Sequence, residues 1–192
     1  MTTARVDFPQ AHGAAFCSAK TKLFWLAQLL RVLSGSYAAW VLVRIVQWWT
    51  DSERMIKYMG QFLGRDLTGL PTSARLLALA LDLGVWMLLL AAVVCCWKSL
   101  GYLLKEHTFS QSMARLLAWA GWLGTLCELL SLLFRPLQSY LMTAHLPATE
   151  QVFKWAFYPQ DLLSTMLCGV ILCFAYLITW AVDIAEENRG FI

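Results

Sequence analysis

Four long apolar stretches run through the chain, and they constrain its fold more than any other feature. They cover residues 24–49, 74–97, 116–140 and 162–182. A helix needs about 20 apolar residues to cross the hydrocarbon core of a bilayer, so each stretch is long enough to span it. None shows the alternation of apolar and polar residues typical of membrane β-strands. The sequence therefore predicts an all-α, polytopic membrane protein with four transmembrane helices in one domain, residues 1–192.

The composition agrees with this prediction and excludes several classes of protein. Of 192 residues, 59% are apolar and 14% are charged, whereas a soluble domain carries about 25% charged residues. The net charge of +3 is spread along the chain. No run of Lys and Arg is dense enough to predict direct nucleic-acid binding or a strong site for anionic lipids. The lipid bilayer is the first partner that we expect.

The polar leader and the loop charges bear on orientation. The leader exceeds 20 residues, and the first apolar stretch is too long for a signal peptide, so we predict a retained first span. Four spans place both termini on one side of the membrane. Lys20, Lys22 and the short basic loop from Lys98 to Arg115 lie on that side. The positive-inside rule then favours cytoplasmic termini.

The first loop on the opposite side predicts a short helix lying in the membrane surface. Its sequence, DSERMIKYMGQFLGRDL, covers residues 51–67. Apolar side chains share one helical face: Met55, Met59, Phe62 and Leu63. Lys57, Gln61 and Arg65 share another, which is the amphipathic pattern of an interfacial helix.

The second outer loop, ATEQVFKWAFYP over residues 148–159, places four aromatic residues in a short segment and is predicted to form a second interfacial helix. Two uses remain open for these loop helices. They either cap the transmembrane helices or form a docking surface for another protein. The partner-facing candidates are Met59, Phe62, Phe153 and Trp155.

Two charged residues interrupt the third span, in GTLCELLSLLFRP: Glu128 and Arg135. They belong to a helical stripe with steps of three and four residues. The stripe consists of Ala114, Ala118, Gly121, Thr125, Glu128, Leu132 and Arg135. Its small residues allow a neighbouring helix to approach closely. We therefore predict that both charges face protein rather than lipid.

A charge at the centre of a membrane helix costs on the order of 3 kcal/mol, so each charge is expected to have a partner. Arg44, Asp82 and Arg135 fall in the outer half of the membrane, which favours a cluster of these three. Glu128 lies near the middle and would pair with Arg31 or be protonated. Such groups either fix the helix register, line an ion or proton path, or bind a partner's membrane helix. Glu128 is the main candidate for these functional roles.

No catalytic or metal-binding pattern is found in the sequence. His12, His107 and His145 lie outside the spans, and the six cysteines show no metal-ligand spacing. The Ser-Gly-Ser run at residues 34–36 has no intramembrane His or Lys beside it, so we interpret it as a packing point. The sequence predicts no metal, no cofactor and no enzymatic activity.

Two motifs, TFSQSMARLLAWAGWL and AVDIAEENRGFI, resemble a family of small bacterial inner-membrane proteins with four spans, catalogued only as a domain of unknown function. The matching positions are Phe109, Ser110, Arg115, Leu116, Gly121, Trp122, Glu186, Glu187 and Asn188. The resemblance implies a bacterial inner (cytoplasmic) membrane. For some relatives it implies pairing with a small DNA-binding regulator, and it implies no activity.

The residues of these two motifs also have local structural meaning. Thr108 or Ser110 is placed to cap the third helix. Acidic residues near the C-terminus of the fourth helix oppose its dipole. They are Asp183, Glu186 and Glu187. Pairing with Lys98, Lys105 or Arg115 would offset them, as would a basic partner protein, for which Glu186 and Glu187 are candidate contacts.

Together these observations favour a non-enzymatic membrane protein that acts by binding another protein. It is either an immunity protein that blocks a membrane-targeting toxin or the membrane partner of a small regulator. The alternative is a transporter of ions, protons or small solutes, with Glu128, Asp82 and Arg135 in the path. Four spans are few for a transporter, so that alternative requires a homo-oligomer.

Overall fold

The computed structural model of the protein describes residues 11–106 and 110–189. Every regular element in these ranges is a helix. The helices are α1 (Ala11–Thr50), α2 (Ser52–Leu63), α3 (Thr72–Glu106), α4 (Gln111–Thr143) and α5 (Pro159–Arg189). Four segments are long and apolar enough to cross a membrane: Thr21–Thr50, Thr72–Lys105, Gln111–Thr143 and Pro159–Asn188. Each predicted span lies within one of them, which confirms the prediction of an all-α, multi-pass membrane protein.

The long helices pack in chain order. α1 packs against α3, α3 against α4 and α4 against α5, while α2 packs against α1. Within the described ranges α1 and α5 share no extended contact, so they flank the α3–α4 pair. We call the end that holds the start of α1 and the end of α5 the terminal end. The opposite end, with α2 and residues 144–158, is the α2 end.

Small residues determine where neighbouring helices approach most closely. A Cβ at Gly121 of α4 would lie 2.7 Å from Cγ of Leu172 in α5, and one at Gly124 would lie 2.7 Å from Sγ of Cys168. The predicted small-residue stripe of α4 thus faces a neighbouring helix. Between α1 and α3, Ser34 Oγ accepts a hydrogen bond from Nε1 of Trp97 at 2.8 Å. The Ser-Gly-Ser run is a packing point, as predicted.

The helix predicted for the first outer loop is present as α2. Asp51 caps its N-terminus, where Oδ1 accepts a hydrogen bond from the backbone N–H of Arg54 at 3.1 Å. Gly64 ends it with φ +67, a left-handed conformation that favours glycine. Met55 and Leu63 are buried, so the apolar face of α2 covers the α2 end of the long helices.

The second outer loop differs from its prediction, because residues 151–158 form no helix. This segment lies between a turn after Pro147 and the start of α5 at Pro159, and the residue before a proline disfavours helical geometry. Hydrogen bonds that involve side chains, rather than the backbone hydrogen bonds of a helix, hold the segment. The backbone N–H of Val152 donates to Oγ1 of Thr143 at 3.0 Å, and Nζ of Lys154 donates to the carbonyl oxygen of Phe62 at 2.7 Å.

The start of α4 follows the sequence prediction. Ser110 is extended, and its Oγ accepts a hydrogen bond from the backbone N–H of Met113 at 3.3 Å. It therefore satisfies an amide that the first turn leaves unpaired. The other predicted cap, Thr108, and the resemblance position Phe109 lie outside the described residues.

Candidate functional site

Arg135 pairs with Asp161 at the α2 end, across the contact between α4 and α5. Nη1 and Nη2 of Arg135 donate to Oδ2 and Oδ1 of Asp161 at 2.5 and 2.7 Å. Asp161 is only 3% exposed. Its Oδ2 also accepts from the backbone N–H of Tyr158 at 2.8 Å. With Pro159 as the first helical residue, Asp161 is the third, and its carboxylate accepts from the N-cap N–H as the N3 side chain of a capping box does.

The same guanidinium holds the second outer loop. Nη1 of Arg135 donates to the carbonyl oxygen of Ala156 at 2.9 Å, and the group lies 5.0 Å from the centre of the Tyr158 ring. One side chain thus joins α4, the loop and α5.

The sequence prediction missed Asp161, which immediately precedes the predicted fourth span. The carboxylate two residues after Pro159 was the signal that could have identified it.

Asp82 connects three helices through neutral donors. Its Oδ2 accepts from Nε1 of Trp49 in α1 at 2.8 Å, and its Oδ1 accepts from Nε2 of Gln138 in α4 at 2.6 Å. Nε2 of Gln138 also donates to the carbonyl oxygen of Ala78 at 3.3 Å. Beside this network, Arg75 donates to the carbonyl oxygen of Trp49. The arrangement fixes the register of α1, α3 and α4.

The predicted cluster of Arg44, Asp82 and Arg135 is not formed. Arg44 is exposed and lines a surface groove with Trp48. It follows from 3.6 residues per turn that Arg44 and Trp49 are about 140° apart around α1, so only one of them can face Asp82. Arg135 forms its ion pair with Asp161 of α5 instead.

A cavity of about 280 Å³ lies beside Asp82, between α1, α3 and α4. Most of its lining is apolar, and its polar lining side chains include Ser131, Arg135 and Gln138. Among the described residues, no cation lies within ion-pair distance of Asp82. The cavity therefore places a carboxylate in the membrane-spanning region with hydrogen-bond donors and with Arg135 in the same lining, although the two form no ion pair.

Glu128 and Arg31 are not brought together, so the predicted pairing is not formed; the alternative, a protonated Glu128, stays a prediction. Glu128 is half-buried and lies beside Ser164 of α5. Arg31 of α1 donates through Nη2 to the carbonyl oxygen of Trp97 in α3 at 3.0 Å. The helix order is the physical reason. Arg31 lies on the side of α1 that packs against α3, whereas Glu128 lies on the side of α4 that packs against α5.

The acidic residues near the end of α5 are also separate from the cations expected to pair with them. Asp183, Glu186 and Glu187 are exposed. In the described ranges they form no ion pair with Lys98, Lys105 or Arg115. Lys98 and Lys105 belong to the side of α3 next to α1, whereas α5 packs on α4. Arg115 instead donates through Nη2 to Oε1 of Gln111 at 3.4 Å.

The partner-facing candidates of the outer loops gather at the α2 end. A groove of about 390 Å³ is lined by residues from α1, α2, α4 and the second loop: Trp48, Tyr58, Met59, Phe62, Arg135, Gln138, Ser139, Lys154, Ala156 and Tyr158. On the same loop, Phe153, Trp155 and Phe157 are 59%, 61% and 64% exposed. The Phe153 and Trp155 rings form an edge-to-face pair with centroids 6.1 Å apart. We call these three residues the aromatic ridge.

Within the described part of the chain, no group of three or more His, Cys, Asp or Glu side chains is placed to hold a metal ion. Comparison of the chain with protein-family models, with curated protein sequences and with solved structures finds no match. The resemblance to four-span bacterial inner-membrane proteins remains a prediction from the sequence motifs.

Proposed function

We propose that the protein is a non-enzymatic integral membrane protein that binds a protein partner at its α2 end. The observation that carries this proposal is the groove together with its aromatic ridge. Protein interfaces are enriched in aromatic residues, Met and Arg, and these residue types dominate their binding energy. Met59, Phe62 and Arg135 line the groove, and the ridge projects beside it.

The loop that carries the ridge is held in place before any partner arrives. Lys154 donates to the carbonyl oxygen of Phe62 and its ammonium lies 4.0 Å from the Phe62 ring centre. Arg135 holds Ala156, and Nε of Arg65 donates to the carbonyl oxygen of Glu150 at 3.2 Å. A surface that is already ordered loses less conformational entropy on binding, which favours affinity.

The location of this surface favours one of the two versions of partner binding. With cytoplasmic termini, as predicted, the α2 end lies on the outer side of the membrane, where an immunity protein would meet a membrane-targeting toxin. The membrane partner of a small regulator would instead use the terminal end, with Glu186 and Glu187. We place the immunity version first because the ordered groove lies at the α2 end. Aromatic residues also anchor proteins in the membrane interface. If the aromatic ridge contacted only lipid, both versions would be rejected.

Site-specific photo-crosslinking in native host membranes tests the proposal. A photoreactive phenylalanine analogue replaces Trp155 in the ridge, Glu187 near the end of α5, or Leu163 on the apolar surface of α5, where the side chain is 60% exposed. The proposal predicts a discrete protein adduct from position 155 and none from position 163. An adduct from position 187 alone would support the regulator version. Lipid adducts at all three positions would refute partner binding.

A matched pair of variants then connects the adduct to the ridge. Trp155→Ala should lose co-purification of the crosslinked partner. Trp180→Ala should retain it, because Trp180 is similarly exposed, at 65%, but lies on α5 towards the terminal end. Equal retention by both variants would show that the ridge is not the binding surface.

A second function, transport of protons or small cations by an oligomer, is favoured by one observation. Asp82 borders a cavity in the membrane-spanning region and forms no ion pair among the described residues. Ionisable groups in such positions commonly mark ion or proton paths. Flux through proteoliposomes should be abolished by Asp82→Asn and retained by Glu128→Gln, with both variants folded. Unchanged flux in Asp82→Asn would reject this function.

A further inference from the structure

An open cleft of about 660 Å³ lies between α1 and α3 towards the terminal end. Its lining includes Arg31 from α1, and Trp97, Lys98, Gly101, Tyr102 and Lys105 from α3. Three of these side chains are cationic, and none of the lining residues is acidic. This concentration of positive charge is separate from the groove at the α2 end. What we infer from it does not rest on the function proposed for that groove.

The helix geometry explains why the cations meet. Lys98, Gly101 and Lys105 are spaced by three and four residues, which places them on one face of α3. Gly101 leaves room on this face for the guanidinium of Arg31. A Cβ at position 101 would lie 3.1 Å from Nη2 of Arg31, and the same Nη2 donates to the carbonyl oxygen of Trp97 at 3.0 Å.

Among the side chains of residues 21–105 and 110–188, none compensates the charges of this cleft. Lys98 and Lys105 form no ion pair, and the acidic residues of α5 lie on the far side of the α3–α4 pair. Nε of Arg31 is buried and has no hydrogen-bond acceptor there. A buried donor without an acceptor is unfavourable. An oxyanion in the cleft would supply the missing negative charge and, once the Arg31 side chain turned towards it, an acceptor for Nε.

The position of the cleft along α3 matches the predicted end of the second span, where the headgroup region is expected. The predicted second span ends at Trp97, and Lys98 and Lys105 are the cations that follow it on α3. Lys105 lies about 10 Å further along the helix axis. Trp97 and Tyr102 are 38% and 39% exposed, as expected of aromatic residues at a membrane interface. Phospholipid phosphates occupy this level of the bilayer.

We propose that this cleft binds the phosphate group of an anionic phospholipid. Arg31 and the two lysines donate to the phosphate oxygens, and the acyl chains extend along the apolar surface of α1 and α3. Basic pockets between transmembrane helices recognise anionic headgroups in this way. The phosphate group is the recognised chemistry, and the membrane rather than the solution is its source.

Native mass spectrometry of the full chain in neutral detergent tests this proposal. Phosphatidylglycerol and phosphatidylcholine of the same acyl length are titrated in parallel. A basic residue near an anionic lipid surface contributes about five-fold to affinity. We expect phosphatidylglycerol to bind at least about ten-fold more tightly than phosphatidylcholine. Lys98→Gln/Lys105→Gln should remove most of this preference, and because both side chains are exposed, the variant should fold.

A control variant with the same change in charge at the same end is available in Lys22→Gln/Arg115→Gln. Both residues are exposed and neither lines the cleft. This variant should keep the preference for phosphatidylglycerol. Arg31→Lys, which keeps the charge but removes the planar guanidinium, should weaken phosphatidylglycerol binding while the stability of the protein is checked by thermal unfolding.

Three results would overturn the proposal. The first is equal affinity of the unmodified protein for the two lipids. The second is an equal loss of preference in the cleft variant and in the control variant, because that would reflect net charge alone. The third is displacement of phosphatidylglycerol by inorganic phosphate at the same concentration, which would assign the cleft to a soluble anion.

Discussion

Arg135 and Asp161 share two hydrogen bonds of 2.5 and 2.7 Å between α4 and α5, at the point where the second outer loop enters α5. The carboxylate is nearly inaccessible to solvent, and the guanidinium also donates to the carbonyl oxygen of Ala156. A charge on a membrane helix is thereby neutralised, and the same contact orders the loop. The stability of α5 and the shape of the groove at the α2 end therefore depend on one ion pair.

Replacement of Arg135 by Met should destabilise the protein by about 3 kcal/mol, because it leaves the carboxylate of Asp161 buried without a cation. The loss should appear as a lower midpoint of thermal unfolding in detergent. Faster proteolysis of residues 151–158 should accompany it, since the segment loses its contact with Arg135.

A double-mutant cycle separates the ion pair from the rest of the site. Arg135→Met/Asp161→Leu removes both charges, so it should be less destabilised than the sum of its two single variants. Additive losses would show that the two residues act independently.

Replacement of Gly121 by Ala should weaken the packing of α4 against α5. The new methyl group would lie 2.7 Å from Cγ of Leu172, and overpacking of this kind costs about 1–3 kcal/mol. Thermal unfolding measures the loss. Gly84→Ala is the matched control, because nothing lies within 4 Å of a Cβ there. It should leave the stability unchanged or raise it through helix propensity. Rescue of Gly121→Ala by Leu172→Ala would assign the effect to this contact.

Replacement of Asp82 by Leu should destabilise the protein by about 1–3 kcal/mol for each donor that loses its acceptor. The donors are Nε1 of Trp49 and Nε2 of Gln138. Asp82→Asn retains one acceptor oxygen and should be less destabilised. The order of stability, measured by thermal unfolding, is unmodified protein, then Asp82→Asn, then Asp82→Leu. If both variants were as stable as the unmodified protein, the network would contribute little to the fold.

Replacement of Met55 by Ala should detach α2 while leaving the long helices in place. Met55 is 0% exposed, and truncation of a buried Met to Ala costs about 2–5 kcal/mol. A helix of 12 residues is marginal without tertiary packing. Hydrogen exchange of the α2 amides should become at least about ten-fold faster, with α4 and α5 unchanged. Lys57→Ala, at an exposed position of α2, should leave the exchange unchanged.

Local patterns were sufficient for the spans and for the first outer loop. Apolar length predicted the four spans because a membrane helix satisfies its own backbone hydrogen bonds. Helical periodicity predicted α2 and the small-residue stripe of α4, which does face α5 at Gly121. The same reasoning failed for residues 151–158. There, Lys154 donates to the carbonyl oxygen of Phe62 in α2, and Arg135 of α4 donates to that of Ala156. These long-range hydrogen bonds compete with a short helix.

The sequence by itself determined which charged residues need partners, since any charge in an apolar span is costly. Only the tertiary structure decided which partners they have. Arg135 pairs with Asp161 and not with Asp82, because α4 contacts α3 through one face and α5 through another. The sequence likewise indicated no strong lipid site, because Arg31 is far from Lys98 and Lys105 along the chain. Packing of α1 against α3 brings the three cations to one cleft. The periodicity of a single helix cannot predict a contact between two helices.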